Sequence, residues 1–313
     1  MLISAPSKDE INNLIKFFNA QKYEKAIDLG IKFTKKFPRH PFGWKALGAI
    51  YSQTGNTSRA ISANIKSIKI NPKDAEAYSN LGNIYREIGN LHDAELNCRY
   101  AIKLKPDLTE AHNNLGIVLQ GLENFKDAKA CFKKSILLNP HFLEARVNLG
   151  NIYIEQKCVD EAINQFIKTL EINPNFNLAY YSLGDVLSKT IFKKPIKNLN
   201  QFIFKLLEKK NYARPKYIAR SILSLLEFDP NVNNALAVSF KNVDFKLLHN
   251  VIYNLCKVPL LLQLMKITPI PSLKFEGLFK EIRSSILFNL KKFSGYPDIL
   301  QFQISLSLQC YVN

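Results

Sequence analysis

The chain has 313 residues, 47% of them hydrophobic, and its 43 Lys and Arg against 26 Asp and Glu leave a net charge of +17. That is enough apolar material for a large core, yet no stretch approaches the roughly 18 apolar residues of a membrane helix; the longest candidate, residues 258–265, is broken by Pro259 and Gln263. Residues 1–10 have neither a basic start nor an apolar run, so no secretory leader is expected.

From the amino terminus a pattern recurs every 34 residues. Its first unit, 7–40, is degenerate: Phe17, Ala26 and Pro38 are in place, but Asn13-Leu14 stands where later units have Leu-Gly. The second, 41–74, has Trp44, Leu47, Gly48, Tyr51, Ala60 and Pro72. The third, 75–108, has Tyr78, Leu81, Gly82, Tyr85, Ala94 and Pro106; the fourth, 109–142, has His112, Leu115, Gly116, Leu119, Ala128 and Pro140. The fifth, 143–176, has Arg146, Leu149, Gly150, Tyr153, Ala162 and Pro174.

Each unit is expected to hold two antiparallel helices, A and B. In the third, Ala77, Tyr78, Leu81, Ile84, Tyr85 and Ile88 give helix A a stripe at helical spacing, Gly89-Asn90 makes the turn, and Ala94, Leu96, Cys98, Ala101, Ile102 and Leu104 continue in helix B until Pro106. Gly82 and Ala94 are small where A and B must approach closely. A sixth unit starts with Tyr180, Leu183, Gly184 and Leu187 but then carries Pro195 and Ile196, so the array is expected to end near Lys194. Beyond it, 218–226, 247–255 and 278–290 keep helical apolar spacing, punctuated by Pro259, Pro269, Pro271 and Pro297. Residues 300–312 alternate as a strand would, but a lone strand in a helical domain has no partner, so a helix is expected there too.

These residues at these offsets resemble the tetratricopeptide repeat. The resemblance implies an all-α fold: a right-handed superhelix of about five repeats plus a degenerate sixth over 1–194, with the first repeat as a cap, followed by a basic, irregular α-helical domain over 195–313. It also implies binding to other proteins without catalysis. The G-x-G-x-x-G, G-x-x-x-x-G-K-[ST] and G-x-S-x-G motifs are absent, and after Gly184 only Gly277 and Gly295 remain to let a backbone approach a nucleotide or methyl donor. No cofactor and no small-molecule substrate are expected.

Repeat positions 2, 6, 9 and 13 share one line along helix A. They hold Glu76, Asn80, Asn83 and Glu87 in the third repeat, Glu110, Asn114, Ile117 and Gly121 in the fourth, and Glu144, Asn148, Asn151 and Glu155 in the fifth. Asparagine costs roughly 0.5 kcal/mol in a helix interior, so its recurrence asks for a reason. Its amide is both donor and acceptor and can pair with any peptide backbone. The ladder of Asn80, Asn114 and Asn148 resembles that of the tetratricopeptide superhelix in O-linked N-acetylglucosamine transferases, which implies main-chain recognition of a peptide; inheritance of an unused asparagine by duplication is the plain alternative. Ala46 and Ser182 interrupt the ladder on either side. The flanking acids imply a neutral or basic peptide segment, although first-turn glutamates also complement a helix dipole. The carboxylate clamp of chaperone-binding domains is not assembled, since the corresponding positions offer Lys45 with Ala49 and Glu144 with Asn148.

Charge is uneven: residues 1–185 carry 24 cations and 19 acids, and 186–313 carry 19 and 7. Within 189–220 lie Lys193, Lys194, Lys197, Lys209, Lys210 and Arg214, with Glu208 the only acid. This is expected to be a solvated helix face, docking to nucleic acid or an anionic membrane being the alternative. Cys98, Cys131, Cys158, Cys256 and Cys310 are scattered without a C-x-x-C pair, and no H-E-x-x-H occurs. Reduced, structural thiols in the cytoplasm and no metal are expected.

Finally, Val258-Pro259-Leu260-Leu261-Leu262, Ile270-Pro271, Phe275-Glu276-Gly277-Leu278, Arg283 and residues 306–313 resemble the helical connector of bacterial proteins that join tetratricopeptide repeats to a class I methyltransferase. The glycine-rich methyl-donor loop of that enzyme is missing here. The resemblance implies an alternative role as the substrate-recruiting arm of a truncated or split protein-modifying methyltransferase or glycosyltransferase.

Overall fold

The computed structural model describes residues 5–209, 211–240, 243–293 and 296–309, so Lys210, Gly295 and residues 310–313, Cys310 among them, lie outside the description. Among the described residues all regular elements are helical. The chain forms two compact units, 1–152 and 153–313, and helices in repeat register fall in both.

In the first unit α1 (Lys8–Asn19) pairs with α2 (Tyr23–Lys36), α3 (Pro41–Gln53) with α4 (Thr57–Ile70), α5 (Ala75–Glu87) with α6 (Leu91–Leu104), and α7 (Thr109–Gly121) with α8 (Phe125–Leu138). α2, α4 and α6 also pack on the next A helix, and consecutive A helices from α1 to α7 touch one another. α9 (Leu143–Glu155) begins here and carries on into the second unit.

Local chemistry explains the ends of these helices. Ser7 and Glu10 form a capping box on α1, while Asn56, Asn90 and Asn124 each accept a backbone N–H three residues on and start α4, α6 and α8. Before each B helix one residue takes positive φ: Gln21 (56°), Gly55 (72°), Gly89 (79°), Glu123 (59°) and Lys157 (61°), at an interval of 34. A Cβ at Gly55 or Gly89 would meet nothing within 4 Å, so the turn selects for conformation and not for space.

Packing inside a repeat is tight where small residues predict it. A Cβ on Gly82 would lie 2.6 Å from Cys98 Sγ and 3.1 Å from the Ala94 carbonyl oxygen. Ala94, Cys98 and Ala101 are fully buried at i, i+4, i+7. Two residues expected on these stripes are outside the core. Leu96 is 65% exposed because it lies about 200° around the helix from Ala94, and Ile88 is 50% exposed because it caps α5 beyond its last packed turn.

In the second unit α10 (Val159–Ile172) packs on α11 (Asn177–Lys189), which opens the sixth repeat. Residues 190–198 are irregular, Asn198 takes positive φ, and α12 (Leu199–Glu208) follows. The partner of α11 is α13 (Pro215–Leu226), not α12. Gly184 packs against the stretch of backbone before α13, with a Cβ there 2.9 Å from the Tyr212 carbonyl oxygen. The chain then folds as α14 (Pro230–Ala237), α15 (Phe245–Cys256), α16 (Pro259–Ile267), α17 (Leu273–Phe288), α18 (Leu290–Phe293), a 3-10 turn Pro297–Ile299 and α19 (Leu300–Leu308). Residues 300–308 are thus helical, as the missing strand partner predicts. Ile218, Ile222, Leu248, Val251, Ile252, Leu255, Phe279 and Ile282 are buried as their spacing predicts, whereas Leu247 is 44% exposed on the outer side of α15. Among the described residues no helix is long and apolar enough to cross a membrane.

Candidate functional site: a cleft on the A helices

The first unit brings α1, α3, α5 and α7 together around a cleft of about 350 Å³. α1 contributes Leu14, Ile15 and Phe18, and α3 contributes Phe42, Lys45, Ala46 and Ala49. Glu76, Ser79 and Asn80 come from α5, with Leu108 and Glu110 at the start of α7. The floor is apolar and the rim acidic. Ile15 is 40% exposed, an uncommon position for an isoleucine inside a packed repeat, and Ala46 and Ala49 leave the space that larger residues would fill.

Lys45 is the one cation among these lining residues. Its ammonium lies 2.8 Å from Glu76 Oε2 and 3.1 Å from Asp74 Oδ2, so it is already neutralised by carboxylates. Burial would lower its pKa, but the hydrogen bond to Glu76 and the charge of Asp74 more than offset this and hold it above the ordinary lysine range. Asp74 also caps α5 by accepting from Ala77 N–H. Counting Asp74 with the rim, three acids face one lysine, and Glu110 keeps an unshared charge at the mouth.

The asparagines lie on α5, α7 and α9, and their amides are partly engaged. Asn114 Nδ2 donates to Ser79 Oγ at 3.1 Å, and Asn148 Nδ2 donates to Asn113 Oδ1 at 3.0 Å. Each bond ties one A helix to the one before it. Asn80 lines the cleft and is half-buried. Asn83 is satisfied along its own helix, accepting from Arg86 Nε and Nη2 and donating to Glu87 Oε1 at 2.9 Å. Glu76, Glu110 and Glu144 are exposed in the first turns of α5, α7 and α9. Asn151 is half-buried at the end of the first unit, and Glu155 is exposed at the start of the second.

Sequence reasoning missed two things here. Ser79 and Asn113, one residue before the ladder positions, are the partners that give the asparagines a structural task. The cap repeat and Ala46, which look like gaps in the ladder, form the cleft. The available signal was the run Ile11, Leu14, Ile15, Phe17 and Phe18, which holds more apolar residues than one core-facing stripe of α1 can bury.

The basic stretch in the second unit is less uniform than its composition. Lys194 is ion-paired with Asp160 Oδ2 at 2.6 Å, which raises its pKa. Lys209 donates to Asn175 Oδ1 and lies 5.1 Å above the Tyr180 ring. Lys193, Lys197 and Arg214 are exposed.

Comparison with known proteins bears on the repeats. The tetratricopeptide repeat family matches residues 65–95 and 109–142, and a TPR repeat family matches 150–190. A thermophilic TPR protein of Thermus thermophilus is 21% identical, covering 57% of this chain and 98% of its own, with a TM-score of 0.52. The pilF protein of Pseudomonas aeruginosa is 16% identical over 71% of this chain and 91% of its own, also at 0.52. A MamA protein is 27% identical over 51% of this chain and 93% of its own, at 0.44. No curated protein matches the chain.

Proposed function

Starting from a chain that carries tetratricopeptide repeats, we propose that it is a non-catalytic scaffold that holds a segment of a partner protein on its A helices. The observation that supports this reading is the cleft lined by Leu14, Ile15, Phe18, Phe42, Ala46 and Ala49, apolar at its floor and acidic at its rim. An apolar floor gains about 25 cal/mol for each Å² it removes from water, and the net negative rim, with three acids against Lys45, selects against an acidic partner. The fitting segment is neutral or basic and carries a bulky apolar side chain.

Asn80, Asn114 and Asn148 extend the site along the A helices. The amide oxygen and second N–H that Asn114 and Asn148 keep after their interhelical bonds are suited to a peptide N–H and C=O. Glu76, Glu110 and Glu144 favour basic side chains along the track, and Glu87 and Glu155 belong to the same line. In this reading the repeats run to 194 and a basic helical domain follows. The setting is the cytoplasm, where Cys98, Cys131, Cys158 and Cys256 stay as free thiols.

Affinity capture from native lysate with wild type, Ala46→Trp and Glu76→Gln/Glu110→Gln tests the proposal. Tryptophan at 46 fills the cleft and the double change neutralises its rim, so a partner retained by wild type is expected to be lost from both. A partner retained equally by all three contradicts the reading. The alternative role as recruiting arm of a separate methyltransferase or glycosyltransferase uses the same groove, and an enzyme of either class among the cleft-dependent proteins would favour it.

A further inference from the structure

α3 serves two clefts. Lys45, Ala46 and Ala49 line the acidic one, while Trp44, Leu47 and Tyr51 line a second cleft of about 380 Å³ between α2 and α4. The second has the opposite charge. Lys35 from α2 and Arg59 and Lys66 from α4 stand around it, and none of its lining residues is a carboxylate. α4 itself carries Arg59, Lys66 and Lys69 and no acid along its 14 residues.

Arg59 and Lys66 are positioned without being neutralised. Lys66 Nζ lies 4.4 Å above the Trp44 ring and Arg59 Cζ 5.8 Å from the Tyr51 ring. An aromatic face attracts a cation but carries no net charge, so the ammonium and guanidinium keep N–H donors for an oxyanion. Among the described residues Lys35, Arg59 and Lys66 enter no ion pair. Three like charges around one concave surface raise the local potential, and a bound anion relieves their repulsion. Leu47 and Ala63, both buried, make the floor apolar.

We propose that this cleft binds an acidic peptide segment of a second partner, its carboxylates on Lys35, Arg59 and Lys66 and an apolar side chain over Leu47 and Ala63. Nucleic acid fits less well. Single-stranded binding relies on free aromatic faces for stacking, but Lys66 covers a face of Trp44, and the indole N–H is spent on the Pro38 carbonyl at 3.2 Å. The site is independent of the acidic cleft, and together they let one helix, α3, hold segments of opposite charge.

The test uses the full chain and a fluorescently labelled glutamate-rich peptide containing one leucine, followed by anisotropy. Binding is expected at low salt, weakening as salt rises, with at least a tenfold loss in Lys35→Gln/Arg59→Gln/Lys66→Gln. Lys35→Arg/Lys66→Arg is expected to keep the affinity, because the charges remain. Lys193→Gln/Lys197→Gln/Arg214→Gln lowers the net charge equally at the exposed basic stretch and is expected to leave binding unchanged. Equal loss in the two triple variants would overturn the proposal by making the attraction one of net charge alone. So would unchanged affinity in the first, or tighter binding of an oligouridylate RNA than of the peptide through the same three residues.

Discussion

The third and sixth repeats solve the same packing problem with different parts of the chain. In the third, Gly82 on α5 receives Cys98 and the Ala94 backbone from α6, the helix that follows it directly. In the sixth, Gly184 on α11 receives the Tyr212 backbone and Ala213, just before α13, while Pro195 and the irregular segment displace α12 to other contacts. Helix A therefore requires a close neighbour beside its glycine, side chain or backbone, but not the next helix in sequence. The repeat is a demand made by one helix face, and a departure from the pattern changes who meets the demand before it removes it.

The sharpest way to break this comparison is to fill both glycines. Gly82→Ala and Gly184→Ala should each cost about 1–3 kcal/mol by overpacking, read from urea unfolding of the full chain. The two should differ in rescue. Adding Cys98→Ala removes the sulfur 2.6 Å from the new Cβ at 82 and should recover part of the loss. Adding Ala213→Gly at the other site leaves the Tyr212 carbonyl in place and should recover little. Equal rescue would mean that the sixth repeat is as adaptable as the third.

A smaller effect is expected from the links between A helices. Asn114→Ala and Asn148→Ala each remove one interhelical bond and should cost about 0.5–1.5 kcal/mol, with Ser79→Ala reproducing most of the first. Stability unchanged in all three would assign the asparagines to ligand alone.

Smaller still are the turns. Gln21, Glu123 and Lys157 hold a left-handed backbone that Gly55 and Gly89 hold without strain. Replacing each by glycine should raise stability by up to about 1 kcal/mol, the relief of that strain less the entropy glycine adds to the unfolded chain, and Gly89→Ala should lower it.

The buried Cys98 and half-buried Cys131 thiols have no effect until the solution is alkaline. Burial pushes Cys98 up to about 12 and Cys131 up to about 11. An unfolded thiol ionises near 8.5. Between these values the unfolded chain binds fewer protons than the folded one, so this contribution is full below about pH 8.5 and is lost as pH rises towards 11 and 12. Cys98→Ala/Cys131→Ala should flatten the fall in stability over that window, and iodoacetamide at pH 8 should leave Cys98 unlabelled in the folded chain.

Much of the fold was legible because the repeat constrains it locally. Leu-Gly, Ala and Pro at fixed offsets placed the helices of each unit, and Gly82 and Ala94 announced their own contact. The acidic A-helix face was legible for the same reason. What escaped were contacts between unlike positions: Ser79 and Asn113 beneath the asparagines, Ile15 and Phe18 across from Ala46, and Tyr212 against Gly184. The bond from a ladder asparagine to the helix before it recurs at the 34-residue interval, but its acceptors, Ser79 and Asn113, differ in type, so only the packed chain reveals the pairing. The left-handed turns at Gln21, Glu123 and Lys157 escaped because tertiary packing imposes there what glycine would otherwise signal.

The central claim is that the cleft on α1, α3, α5 and α7 recognises a peptide with an apolar anchor beside basic residues. Selection of a displayed random peptide library on the full chain tests it directly and requires no candidate partner. The account predicts enrichment of peptides with Leu, Ile or Phe next to Lys or Arg, and at least tenfold weaker binding of those peptides to Ala46→Trp and to Glu76→Gln/Glu110→Gln. Enriched peptides that bind wild type and both variants equally would contradict it.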